Sequence, residues 1–222
     1  MRILHVTDFH FSPPWFRWLK AEARRYDCTV FSGDFLDLFS APPDGATLDE
    51  QSNWVRDFLV EYPAPIFACG GNHDGDAVFL QDAAAKNPSL RIDGTDEVFG
   101  GYRFVCVGWE NPPAVIEPAP DPLILVSHAP PANCDVSLGE FGDVGSEQVA
   151  HLVDLLPLGS LVLSGHVHEP TRWFVDRGGV ICINPGAKIE AEYPNHIVID
   201  TRRRRCLLLS TEERHFESLC QW

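Results

Sequence analysis

An α/β fold of two sheets with helices outside them is what this sequence predicts, and three observations predict it. Short apolar, β-branched runs alternate with helix-period patterns through the first half, which is how parallel strands joined by crossover helices read. The second half shows paired strand patterns around turn sequences instead. Throughout, apolar runs end in His, Asp or Asn.

Taken in order, residues 3–7, 29–32 and 65–68 read as buried strands. Trp15, Trp18, Leu19 and Ala23 recur between the first two at helical spacing, and Leu48, Val55, Phe58 and Leu59 do the same behind Thr47-x-x-Glu50, the pattern of a capping box. A third helix is predicted over residues 76–86. Residues 97–99 and 102–107 flank "GG", 173–176 and 180–183 flank "RGG", and 196–200 and 206–209 flank "RRRR", all hairpin signals. A strand at 123–126, an amphipathic helix at 146–156 and a strand at 161–163 complete the set. The proline-rich runs "SAPPDG" at 40–45 and "ENPPAVIEPAPDP" at 110–122 must be loops, and the irregular stretch 129–145 has the length of a functional one. With no repeat and no linker-like composition, a single domain over 1–222 is expected.

The chain has 222 residues, 45% hydrophobic and 22% charged, enough to bury a core. A formal net charge of −15 opposes a broad grip on nucleic acid or anionic membrane, so an anionic substrate needs a strong local positive charge to hold it. Seven cysteines, at 28, 69, 106, 134, 182, 206 and 220, include no C-x-x-C pair, which speaks against a disulfide framework or a zinc knuckle. The opening "MRILHVTDFH" has no basic head or cleavage site, and no stretch approaches ~18 apolar residues, so a soluble, cytoplasmic protein without a membrane partner is expected.

Five apolar runs carry the chemistry: "HVTDFH", "VFSGDFLD", "IFACGGNHD", "LVSHAPP" and "LVLSGHVHEP". Strand carboxyl ends in an open α/β sheet form the ligand crevice, so these endings would gather Asp8, His10, Asp34, Asn72, His128, His166 and His168. Asp8 and His10 are two residues apart, as are His166 and His168, so in extended backbone each pair would face one way. Imidazole with carboxylate and no thiolate suits Mn, Fe, Zn, Co or Ni more than Ca or Mg. Seven donors exceed the four of one zinc site, which points to two ions ~3.5–4 Å apart with one carboxylate bridging them. Two divalent ions set against two aspartates and one hydroxide leave the pocket positive, as an anionic phosphoester needs, and the neutral Asn72 preserves that excess.

In this order, D-x-H, G-D-x-x-D, G-N-H-D, S-H-x-P and G-H-x-H resemble the motifs of the calcineurin-like metallophosphoesterase superfamily, over residues 8–168. The resemblance implies a four-layer α-β-β-α sandwich with two metal ions, manganese foremost, at the sheet edge. It gives one ion Asp8, His10, Asp34 and His168, and the other Asp34, Asn72, His128 and His166, with Asp34 as the bridge. It makes His73 the group beside the phosphate that protonates the leaving oxygen or stabilises its charge, and Asp37 the carboxylate that orients His73. The implied activity is hydrolysis of a small phosphomonoester or phosphodiester by a hydroxide held between the ions. Where protein phosphatases of this superfamily have Arg-Gly and a final Glu, this chain has Leu38-Phe39 and Asp74, which speaks against a phosphoprotein substrate.

Weaker signals have plainer readings. His5, His151, His196 and His215 are taken as structural, Asp74 as a turn or cap residue, and Arg172 as half of a surface salt bridge. Arg202 to Arg205 read as a solvated hairpin tip, and a nuclease is the alternative only if they and the 129–145 loop share the metal face. A non-catalytic scaffold of the same fold is a further alternative, opposed by the intact ligand set. Phe11, Trp15 and Phe16 are candidates to wall the pocket against a base or aryl group, while Trp18 is assigned to core packing.

Overall fold

The computed structural model describes residues 1–39, 45–109, 112–113, 115–117, 121–211 and 214–218. The first proline-rich loop lies outside them except for Gly45, the second is described only in part, and the side chain of His215 and all of Cys220 lie outside.

One sheet contains β1 (Arg2–Val6), β2 (Cys28–Phe31), β3 (Ile66–Ala68) and β4 (Leu90–Arg91), all parallel. The other contains β5 (Asp96–Phe99), β6 (Tyr102–Val107), β7 (Leu123–Ser127), β10 (Leu161–Leu163), β11 (Phe174–Arg177) and β12 (Val180–Ile183), with β8 (Leu138–Gly139) and β9 (Gly142–Asp143) forming a separate hairpin. Three further strands, β13 (His196–Asp200), β14 (Arg205–Leu209) and β15 (Arg214–Ser218), extend the first sheet antiparallel beyond β1, giving the order β15-β14-β13-β1-β2-β3-β4. The second sheet runs β11-β12-β10-β7-β6-β5 with a parallel centre and antiparallel edges.

Period-2 side-chain placement explains the layers. From β1, Leu4 and Val6 enter a core shared with α1 (Pro13–Glu22), α2 (Leu48–Val60) and α3 (Val78–Ala84), while Ile3 enters the core between the sheets. Phe67 and Phe104 stack across that middle core with centroids 4.0 Å apart. A third core joins the second sheet to α4 (Glu147–Asp154) through Val149 and Val153. Helices, sheet, sheet and helix thus form the expected α-β-β-α sandwich. The Thr47–Glu50 capping box is present in both directions, and Ser146 caps α4. The third helix is shorter than its pattern, because Ala77 in a left-handed conformation (φ 52°) breaks the backbone just before Val78.

The aromatic expectation is corrected for three residues. Trp15 and Phe16 lie wholly within the first core around Phe9 and Phe31, and Phe11 is buried against Trp54, so helix packing uses them all. Trp18 packs on Tyr193 and His196 as expected.

His5 supplies a pH prediction. It is fully buried with Nε2 2.9 Å from Ser32 Oγ, and burial drives its pKa down to about 3. The folded chain keeps it neutral while the unfolded chain takes up a proton below about 6.5. Its contribution is therefore complete above that pH and is lost as pH falls toward 3. In metal-free buffer, moving from pH 7 to pH 5 should cost wild type about 2 kcal/mol more than it costs His5→Asn, because only wild type carries this linkage. Denaturant melts at the two pH values measure it, and equal losses would remove His5 as a source.

Candidate metal centre

Asp8 and His10 follow β1, Asp34 follows β2, Asn72 and His73 follow β3, His128 follows β7, and His166 and His168 follow β10. The backbone reaching them is not extended. Asp8, His10, Asp34 and His166 all have left-handed φ, at 55°, 42°, 58° and 69°. The expectation that i, i+2 spacing aims each pair is therefore corrected: tight turns place the donors. Hydrogen bonds that continue past the strands hold these turns, with Asp8 N donating to Gly33 O (3.0 Å) and His10 N to Asp34 O (3.1 Å). Each non-glycine residue held there costs ~1 kcal/mol or more, which the surrounding structure must offset.

Asp8, His10 and His168 bring ligand atoms within 4.8 Å of one another, and so do Asp8, Asp34 and His128. Asn72 joins through its Oδ1, 2.9 Å from His128 Nε2. His166 donates its backbone N–H to the Asp8 carboxylate, and its ring lies 5.2 Å from that of His128. His73 meets the cluster in two ways: its N–H donates to Asp34 Oδ1 (2.8 Å), and its ring forms a third grouping with His10 and Asp34. Asp37 Oδ1 lies 3.3 Å from His73 Nδ1. Asp8 and Asp34 each belong to two groupings, so geometry alone does not single out Asp34 as shared.

The donor set fits cations. Asp8 and Asp34 are buried, and among the described residues their ion-pair partners are histidines, with no lysine or arginine. Two imidazole nitrogens, Nε2 of His10 and of His168, meet at 2.9 Å, a spacing at which one must donate to the other or both must turn to a third partner. The field is correspondingly uneven. Burial opposes ionisation of Asp8, but the bond to His168 and the charge of His128 outweigh it and hold its pKa well below the usual range. Burial likewise opposes charge on His128, yet Asp34 and Asp8 push its pKa up to about 9, while burial and His128 bring His166 down to about 4. The His128 proton is one that a metal ion would have to displace.

Several residues that shape the centre escaped sequence reasoning. Asp74, by its sequence a turn or cap residue, does accept from Gly71 N, but it also accepts from Asp34 N and Leu36 N, stitching the second motif to the third. Ser32 O holds His128 Nδ1 at 2.8 Å and so fixes which nitrogen faces Asn72 and Asp34. Buried Asn184 donates to Gly165 O and Val167 O, bracing the loop of His166 and His168. Its segment "ICINPG" has the strand-then-polar grammar of the other five and could have been found by it. Trp109 lies 4.9 Å from the His166 ring and is an aromatic beside the ligands, at a distance in sequence from any motif.

Beside the cluster lies a cleft of about 520 Å³, lined by Asp34, Asn72, His73, His166 and His168 together with residues 139–142. The 129–145 stretch therefore reaches this face. The arginine turn does not. Asp200, where β13 ends, pairs with Arg2 at the start of β1, whereas Asp8 lies past that strand's other end. Arg203 bonds to Asp200 there, and Arg172 pairs with Asp135 at 3.4 Å.

Comparison with known proteins agrees with this fold. The described fold is similar over its whole length to an archaeal phosphodiesterase (TM-score 0.56, 18% identity, 98% of this chain and 99% of that one). It is also similar to the phosphoesterase YfcE of E. coli (TM-score 0.55, 16% identity, 99% and 100%). A curated relative, a "Probable cyclic nucleotide phosphodiesterase" of Rhodococcus erythropolis, is 26% identical over 170 residues, 68% of this chain and 54% of its own, so this chain spans about half of that protein's length. The calcineurin-like phosphoesterase pattern itself matches residues 1–170, which contain all the residues from Asp8 to His168 gathered at the cluster, and the chain belongs to that family.

Proposed function

We propose that this protein hydrolyses small phosphoesters, diesters or monoesters, at a two-ion centre ligated by Asp8, His10, Asp34, Asn72, His128, His166 and His168. The observation that carries this reading is the convergence of two buried carboxylates, answered by no lysine or arginine among the described residues, with imidazoles from three other strand ends. Ions bound there, Mn²⁺ foremost, would polarise the phosphoryl oxygens and lower the pKa of a water. Asp34, bonded to the His73 backbone, is assigned the shared position, and Asn72 contributes an oxygen without subtracting charge. His73 is assigned as the proton donor to the leaving oxygen, with Asp37 3.3 Å away to orient it. The similarity to a protein named as a cyclic nucleotide phosphodiesterase places nucleoside cyclic phosphates among the substrates to test. The arginine turn, at the far end of β1, supports the hydrolase of small esters over the nuclease.

Mn²⁺-supplemented protein should turn over bis(p-nitrophenyl) phosphate, p-nitrophenyl phosphate or 3′,5′-cyclic AMP. His73→Ala should retain metal and lose ~10²–10⁴-fold in turnover, the scale of one general acid. Full activity in that variant would remove His73 from the mechanism, and no turnover of any ester by wild type would remove the hydrolase.

A further inference from the structure

Resting on that phosphoesterase reading, we infer that the β8–β9 hairpin selects the substrate: Phe141 at its tip packs on the substituent of the ester, and the preferred ligand is a single phosphate carrying an aromatic or flat apolar group. Phe141 lines the same cleft as His73 and His168 and is 90% exposed, the most exposed large apolar side chain among the described residues. A two-residue hairpin loop ordinarily takes Asn, Asp or Gly. Here the loop is Glu140-Phe141, followed by Gly142 at φ 87°, so the turn itself does not call for the ring.

Nor is the ring displayed by a loose loop. Thr171 N and Oγ1 both donate to Leu138 O (2.7 and 3.1 Å), tying β8 to the segment just past His168. Asp143 accepts from Asn133 N (2.6 Å) and Gly145 N (2.9 Å), tying down β9. A Cβ on Gly139 would press on Val167 at 2.9 Å, which shows how closely the hairpin base seats on the ligand loop. Phe39, 72% exposed, adds a second ring 4.6 Å from His73, the residue assigned to the leaving oxygen. Exposed apolar surface held rigidly over a polar centre is the mark of a binding site.

Charge on the same cleft limits the rest of the ligand. Glu140, Glu169 and Glu190 line it with Lys188. A polyanion would meet that surplus of carboxylates on top of the −15 of the whole chain, whereas one phosphate held at the ions would not.

Calorimetry of the Mn²⁺-loaded protein with phenylphosphonate and methylphosphonate, which cannot be hydrolysed, tests the inference. Wild type should bind phenylphosphonate about ten-fold more tightly, Phe141→Ala should bring that ratio to about one, and Phe141→Leu should keep most of it. Because the residue is exposed, both variants should fold, and circular dichroism checks that they do. Equal affinities in wild type, or a ratio that Phe141→Ala leaves intact, would overturn the role of the hairpin while leaving the phosphoesterase standing. If neither phosphonate binds and no ester turns over, both readings fall together.

Discussion

Asp34→Asn should leave the protein folded, short of metal and reduced in turnover by more than about 10²–10³-fold, the scale set by losing one preorganised group that answers transition-state charge. Asparagine keeps the shape of aspartate and an oxygen for the His73 N–H, which lies 2.8 Å from Oδ1 in wild type. What it lacks is the charge. That charge is the main reason His128 has its pKa near 9 despite burial, and under the proposed assignment it is shared by both ions. An amide nitrogen could also face His128 Nε2, now 3.3 Å from Oδ2. Metal content by elemental analysis, read beside turnover, checks the outcome. Two equivalents of metal retained with full activity would show that Asp34 is not the common ligand.

The second large effect is expected at a residue with no chemistry of its own. A Cβ on Gly71 would overlap Asp34 Oδ1, which is buried and held by the His73 N–H, and lie 2.5 Å from the Asp34 backbone nitrogen. Asp34 must shift for Gly71→Ala to fold, at ~1–3 kcal/mol of overpacking. A shift near 1 Å in a group that positions the reaction is worth ~10²-fold in rate, so turnover should drop by that factor. Gly101→Ala is the control: its φ of 88° makes alanine strained, yet nothing lies within 4 Å of the added carbon. It should lower the melting temperature and leave kcat unchanged. If both variants lose only stability, the packing of Gly71 on Asp34 does not set the chemistry.

Much of this architecture could be read before folding because local rules decided it. The capping box before α2 and the turns between paired strands depend on near neighbours, and the structure contains each of them. The two-residue strands β4, β8 and β9 are too short for any alternation to show, and β15 is defined by its register on β14. At the centre, the residue types at strand ends were legible, but their geometry was not. Spacing of two suggested extended pairs, whereas bonds between neighbouring loops impose left-handed turns. Trp109 and Phe141 reach the site from outside every motif, and Phe11, Trp15 and Phe16, adjacent to a motif, do not face it. Proximity in sequence misled in both directions, since sheet topology decides which loops meet.

The left-handed turns have one more consequence. At His10 and His166 glycine would relieve the backbone, whereas at Asp8 and Asp34 it would also strip His168 and His128 of the carboxylates that pair with them. A screen that rewards heat resistance in chelating buffer should therefore accumulate glycines at His10 and His166, not at the two aspartates, and recover sturdy, catalytically dead proteins. Durability and turnover pull against each other at the same atoms.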